Sequence, residues 1–375
     1  MTTTPLVPRL VALAALVAIP AGACFLRADE PAAKPVAPVS APLDPAKPLT
    51  KIAFGSCIQQ DRPQPIWRPL AATRPELLLL IGDNIYGDSP DMAVLAAKYA
   101  TLMAQPDLAA IRKVTPLLTI WDDHDFGVND GGDDFPMKDA SQALFCDVFG
   151  VPADSPRRSR PGLYDAVTVG PEGKRTQVVL LDTRYFRSPL AKWKKGEDHV
   201  GGPYRPTEDT TTTLLGEAQW AWLAETLKQP ADLRIVASSI QVVPTENNWE
   251  YWQNFPHERA RLFELIKSTG AGGVVFLSGD RHLAEISRLP ADQSPTGYPL
   301  YDITSSAINQ RDGGTEDEPN RYRLGKNYRE PNFGTIAVDW DAPEPTVTLA
   351  VHGEDGTVVR EVRISLAELR PSTGR

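Results

Sequence analysis

The 375-residue sequence predicts an α/β protein whose ligand site lies where its strands end. Three observations carry that prediction. Apolar runs of strand length alternate with segments of helical period. The run Leu77-Leu78-Leu79-Leu80-Ile81 has no polar alternation, as a strand covered on both faces requires. Four such runs break abruptly into short clusters of Gly, Asp, His, Cys and Tyr. Ligand crevices of open α/β sheets lie outside the carboxyl ends of the strands, so these clusters are expected to converge.

The first residues are of another kind. Arg9 precedes an apolar run from Leu10 to Ile19, and Pro20-Ala21-Gly22-Ala23-Cys24 follows, the layout of a secretory signal cleaved after Ala23. The run is too short to span a bilayer, which takes about 20 apolar residues. A buried N-terminal helix is the alternative. Cys24 also offers an attachment point for a bacterial lipid anchor, although Ala21 stands where such signals usually carry Leu. Residues 24–50 are rich in Pro and Ala without periodicity and read as a tether, leaving residues 51–375 as the folded domain. The expected location is the periplasm, the cell surface or the exterior. Cys24, Cys57 and Cys146 are too few for a disulfide framework. With 48 acidic against 39 basic residues, no broad surface for nucleic acid is indicated.

In order, Lys51 to Phe54 is a strand ending in Gly55-Ser56-Cys57, and a short helix around Trp67 and Leu70 stops at Arg74-Pro75. The Leu77 strand ends in Gly82-Asp83-Asn84-Ile85-Tyr86-Gly87-Asp88. Asp91 to Met103 has a helical stripe of Met92, Leu95, Ala96, Tyr99 and Met103, and a second helix covers Asp107 to Arg112. The strand from Pro116 ends in Asp122-Asp123-His124-Asp125, with Gly127, Asn129, Gly131 and Gly132 in the loop beyond. Ser141 to Phe149 is helical; Leu163–Val169 and Gln177–Leu181 form a hairpin; Ser188 to Thr213 is a polar excursion. Leu215 to Leu227 is an amphipathic helix, and Leu233 to Ala237 a strand ending in Ser238-Ser239-Ile240-Gln241. Asn247 to Asn254, with Trp249, Glu250, Tyr251 and Trp252, is either a substrate-facing rim or a packed loop. A helix from Pro256 to Lys267 precedes the strand Gly273–Ser278, which ends in Gly279-Asp280-Arg281-His282. A strand at Leu300–Ile303, a charged tract from Asn309 to Asn332 and three final strands closing an antiparallel sheet complete the chain.

The strand-end residues are the types that hard and borderline cations take. Each has a plainer alternative: Asp and Asn favour turns, an isolated Cys is a small buried residue, and a His often has a structural role. Adjacent carboxylates repel one another, a cost that cations relieve. Acids around His124 should raise its pKa and suit it to proton donation. The sequence contains no P-loop, dinucleotide fingerprint or Gly-x-Ser-x-Gly elbow.

Taken together, Gly55-Ser56-Cys57, Gly82-Asp83-Asn84-Ile85-Tyr86, Trp121-Asp122-Asp123-His124-Asp125 and Ser278-Gly279-Asp280-Arg281-His282 resemble the alkaline phosphatase D (PhoD-like) family of calcineurin-type metallophosphoesterases. The resemblance implies a sandwich of two mixed β-sheets flanked by helices, with metals at the strand ends. It implies that Asp83 bridges two metals, that Tyr86 and Cys57 bind Fe3+, and that Asp123, Asp280 and His282 complete a cluster also holding Ca2+. Asp122 and Asn129 are further candidate ligands. His124 would contact phosphate and protonate the leaving group. The superfamily's additional His after the strand ending at Ser238-Ser239 is missing, and so is an arginine pair in the first two motif loops. Phosphate recognition is therefore assigned to Arg281, Asn129 or Arg184. The function implied is exported, metal-dependent hydrolysis of phosphate esters; the rival is an exported metal- or ligand-binding protein without turnover.

Overall fold

The computed structural model describes residues 1–2, 39–311 and 318–371. The expected signal segment beyond residue 2, Cys24 and the tether up to residue 38 lie outside the described residues, as does part of the charged tract after Asn309. Among the described residues, no helix is long and apolar enough to cross a membrane.

β1 (Lys51–Gly55) leads through α1 (Trp67–Ala72) to β2 (Leu77–Ile81), every residue of which is buried. Each leucine of β2 contributes about 2 kcal/mol by leaving water. α2 (Met92–Met103) starts where the Asp91 carboxylate accepts from the Ala93 N–H at 2.8 Å, and α3 (Pro106–Val114) starts with a proline whose missing N–H costs nothing there. The buried face of α2 is Leu95, Tyr99 and Leu102. β3 (Leu117–Ile120) runs into α4 (Asp123–Phe126), and α5 (Lys138–Val148) follows. The hairpin β4 (Asp165–Val169) and β5 (Thr176–Leu180) precedes α6 (Gly216–Leu227), β6 (Leu233–Ala237) and α7 (Pro256–Ser268). Then come β7 (Val274–Ser278), β8 (Ala284–Leu289), β9 (Leu300–Ser305), β10 (Asn332–Asp339), β11 (Thr346–Gly353) and β12 (Val358–Ser365).

These strands form two six-stranded sheets, ordered β12-β11-β10-β1-β2-β3 and β4-β5-β6-β7-β9-β8. Both are mixed. β1, β2 and β3 are parallel, and the final antiparallel strands join them through the β10–β1 pair. In the second sheet β5, β6, β7 and β9 are parallel, with antiparallel β4 and β8 at the edges. One continuous core cluster contains residues of both sheets, Leu79 and Ile336 from one and Val236 and Phe276 from the other. This is the two-sheet α/β architecture that the resemblance implied.

Three expectations need correction. The folded body begins before Lys51: the Ala41 N–H donates to the Arg112 carbonyl at 2.8 Å, the Gly170 N–H to Pro45 at 2.9 Å, and Leu49 is 3% exposed. A segment without periodicity still docks when its backbone groups find partners on the domain. The acid run after β3 is not a loop but the single turn α4, because the Asp122 and Asp125 side chains cap one another's backbone. β8 was not anticipated. Its buried Glu285 and Ser287 interrupt the apolar pattern, and they are satisfied by Arg323, Asn320 and Gln241 from elsewhere in the chain.

Candidate metal centre

The carboxyl ends of β1, β2, β3 and β7 meet. Ligand atoms of Cys57, Asp83 and His282 lie within 4.8 Å of one another, as do those of Asp83, Asp123 and His124, and those of Asp122, Asp123 and Asp280. Asp83 belongs to two of these groups, and Asp123 to a further one with Asp130 and Glu250. Cys57 Sγ lies 3.3 Å from Asp83 Oδ2, and the Tyr86 hydroxyl 2.7 Å from His282 Nε2. Close backbone approach permits this. A Cβ on Gly82, at φ +116°, would stand 2.6 Å from Asp122 Cβ, and one on Gly279 2.4 Å from Ser56 Oγ. Cys57, Asp83, Asp280 and His282 all have φ between 47° and 67°, a left-handed backbone that costs about 1–3 kcal/mol each and concentrates at functional sites.

Electrostatics point to cations. Burial, with the charges of Asp123, Asp122, Asp125 and Asp280, pushes the Asp83 carboxyl well above its usual range; burial and Asp122 do the same to Asp280. Asp122 is raised by burial against the opposing pull of Arg184. Asp123 is also buried, but the charges of Arg184 and His124 and the Asp130 N–H hold it below the carboxylate range. Burial and Asp83 raise the Cys57 thiol to about 11, and burial raises the Tyr86 phenol well above its ordinary value. Asp83 Oδ1, Asp122 Oδ2 and Asp123 Oδ1 are buried without any hydrogen-bond donor. Buried carboxylate oxygens need partners, and metal ions supply them, so the donor set fits bound cations.

A family model described as PhoD-like phosphatase matches residues 52–339. The chain belongs to the PhoD-like phosphatase family. Alkaline phosphatase D of Bacillus subtilis (strain 168) is 23% identical over an alignment of 296 residues that covers 68% of this chain and 49% of that protein. The chain therefore spans about half the length of this curated relative. A solved structure of PhoD superposes with a TM-score of 0.62 at 20% identity, covering 86% of this chain and 73% of that one. GAP50, described as the anchor in the inner membrane complex of Plasmodium, gives 0.54 at 14% identity over 85% and 89%. At these identities the two structures speak for the fold alone.

In this PhoD-like chain the residues assigned to phosphate lie in different surroundings. Asn129 is exposed on the loop after α4. Arg281 pairs with Glu318 and lies 4.8 Å from the ring centroid of Trp249, which is 40% exposed, so the aromatic loop forms a rim there while Tyr251 and Trp252 are packed inside. Arg184 does not reach a substrate surface: it is wholly buried, donating through Nε to Asp122 and through Nη1 to Glu250 at 2.5 Å. That geometry gives it a positioning role behind the carboxylates. Asp125 also turns away from the ligand atoms, accepting from the Asp122 N–H at 2.6 Å and from the Asn84 side chain, which ties the β2 and β3 loops together. Burial raises its carboxyl to about 7.

The sequence left Asp88, Ser239 and Glu250 without roles at the site. Asp88 Oδ1 lies 2.7 Å from His124 Nδ1. Ser239, just beyond β6, donates to Asp122 Oδ1 at 2.7 Å. Glu250 pairs with both Arg184 and Arg187. Only Asp88 carried a readable signal, as the second acid of the loop after β2.

Proposed function

We propose that the chain is an exported, metal-dependent phosphoric ester hydrolase. The observation that carries this reading is the chain of overlapping ligand groups through Asp83 and Asp123, with unpartnered carboxylate oxygens and a paired His124 beside them. Cys57, Asp83, Tyr86, Asp122, Asp123, Asp280 and His282 would hold the metals, with Fe3+ toward Cys57 and Tyr86, whose thiolate and phenolate suit a trivalent ion, and Ca2+ toward the carboxylates. Bound cations supply a water acidic enough to attack at neutral pH and offset charge on the phosphoryl oxygens. Arg281 and Asn129 would grip the phosphoryl oxygens. Export rests on the N-terminal pattern around Arg9 and Ala23.

His124 is the proton donor to the leaving oxygen. Burial pulls its pKa down, but the hydrogen bond to Asp88 and the charges of Asp123, Asp88 and Asp280 carry it up to about 9 in the metal-free protein, and the Asp88 hydrogen bond, outside the metal ligands, favours the imidazolium with metal bound as well. Asp88→Asn removes part of that support. The alkaline limb of kcat/KM is expected to move toward lower pH in this variant, and an unmoved limb would detach His124 from the acid role. A metal-binding role without turnover leaves the His124–Asp88 pair idle. The decisive assay gives metal-loaded protein chromogenic phosphate mono- and diesters, with metal analysis in parallel. Turnover that stops on chelation is expected, with a visible Tyr86-to-iron charge-transfer band; metal-loaded protein inert toward both esters sinks the hydrolase reading, and active colourless protein removes iron from it.

A further inference from the structure

A second concentration of charge lies outside the metal-ligand cluster, in a cavity of about 340 Å³ lined by Arg157, Arg158 and Arg160 against a single acid, Asp139. Asp139 is already engaged by the Tyr185 hydroxyl. Arg157 is 6% exposed; its Nη2 donates to the Thr119 carbonyl at 2.9 Å, its guanidinium lies 5.8 Å from the Phe145 ring centroid, and its Nε is buried without a partner. Arg160 lies 3.8 Å over the Tyr164 ring, donates to the Tyr164 carbonyl through Nη2, and also has an unpartnered buried Nε. Among the described residues neither forms an ion pair, and Arg158 pairs with Asp147, whose side chain is 71% exposed.

The arrangement is built in advance of any ligand. Ser155 caps the single 3-10 turn Pro156–Arg158. Buried Gln142 donates to the carbonyls of Arg157 and Arg160 at 2.8 and 2.7 Å and accepts from the Gly162 N–H at 2.9 Å, so one amide clamps the whole turn. Guanidinium groups do not deprotonate, and although the charges of Asp165 and Asp182 act on Arg157 and Arg160, neither acid pairs with them, so the three-arginine lining keeps a positive excess that suits an anion. Arg158 is spent on Val151, Asp147 and Cys146, so Arg157 and Arg160 are left to hold the anion, and two guanidinium groups suit a tetrahedral anion with several oxygens. The volume falls in the range of small-molecule sites.

We propose that this cavity binds a phosphoryl group, free or on a small organic body, with residues separate from the metal ligands. The test titrates inorganic phosphate by calorimetry into full-length, metal-loaded protein and into its Ser159→Glu variant, with chloride matching the ionic strength. Ser159 is exposed and lines the cavity, so a glutamate there supplies the missing carboxylate without touching the core. The variant is expected to lose one phosphate site, its affinity falling at least about tenfold, since hydrogen bonds to charged groups are worth that much. Binding at the metal centre should be unchanged, and the variant should melt at a higher temperature than wild type in phosphate-free buffer. Arg157→Met should lose the same site. A phosphonate carrying an organic body distinguishes the sources: tighter binding than phosphate assigns the organic ligand, and equal binding assigns free phosphate. Equal stoichiometry and affinity for both probes in wild type and Ser159→Glu overturns the proposal.

Discussion

Asp83→Asn is expected to lower kcat at least about a thousandfold and to reduce the bound metal, while leaving the metal-free fold intact. Metal-ion catalysis contributes several kcal/mol, and each 1.4 kcal/mol is about tenfold in rate. Asp83 is the residue shared by the Cys57–His282 and Asp123–His124 groups, so its loss affects both. Stability should respond in the opposite sense. Asp83 has a folded pKa well above the ordinary 3.8, so the metal-free native state holds a proton that the unfolded chain releases. Native stability contributed by this group therefore falls as pH rises from that ordinary value through the folded pKa. The neutral amide escapes this penalty. Above pH 3.8, chelator-treated Asp83→Asn should melt no lower than chelator-treated wild type, whereas metal-loaded wild type should melt higher than both. Undiminished turnover in metal-loaded Asp83→Asn would remove Asp83 from the chemistry.

Arg184→Met is expected to have the largest effect on stability, about 3–5 kcal/mol in chemical denaturation. It strips a guanidinium from two buried carboxylates, Asp122 at 1% and Glu250 at 2% exposure, and uncompensated buried charge is costly on that scale. The double variant Arg184→Met with Glu250→Gln should recover part of the loss, because the amide lowers the buried negative charge while still offering an oxygen to Arg187. Turnover should also fall about 10- to 100-fold, the usual consequence of losing a group that orients a metal ligand. A phosphate-contacting arginine predicts something else, a raised KM with little change in stability. A denaturation midpoint equal to wild type would return Arg184 to that role.

Much of the architecture was legible because burial on both faces writes itself into sequence. β2 and β7 are read directly from apolar runs, β6 from one broken only by Arg234, and α7 from the proline at its first turn. β8 escaped because buried Glu285 and Ser287 break its apolar run, and a buried Glu285 makes sense only once Arg323 and Gln241 are seen to meet it.

The site divides in the same way. Sequence alone determined which residue types stand at the strand ends, in what order, and that they can serve as metal ligands, since these are properties of short segments and of the local breaks between strand and turn. Tertiary structure decided which acid faces which partner. Asp122 and Asp123 turn to the ligand cluster while Asp125 turns back to hold Asn84, Asp88 crosses to His124, and Arg184 is taken by Asp122 and Glu250. Adjacent carboxylates are alike in sequence. They are separated in function only by the backbone angles of each loop and by donors that arrive from remote parts of the chain.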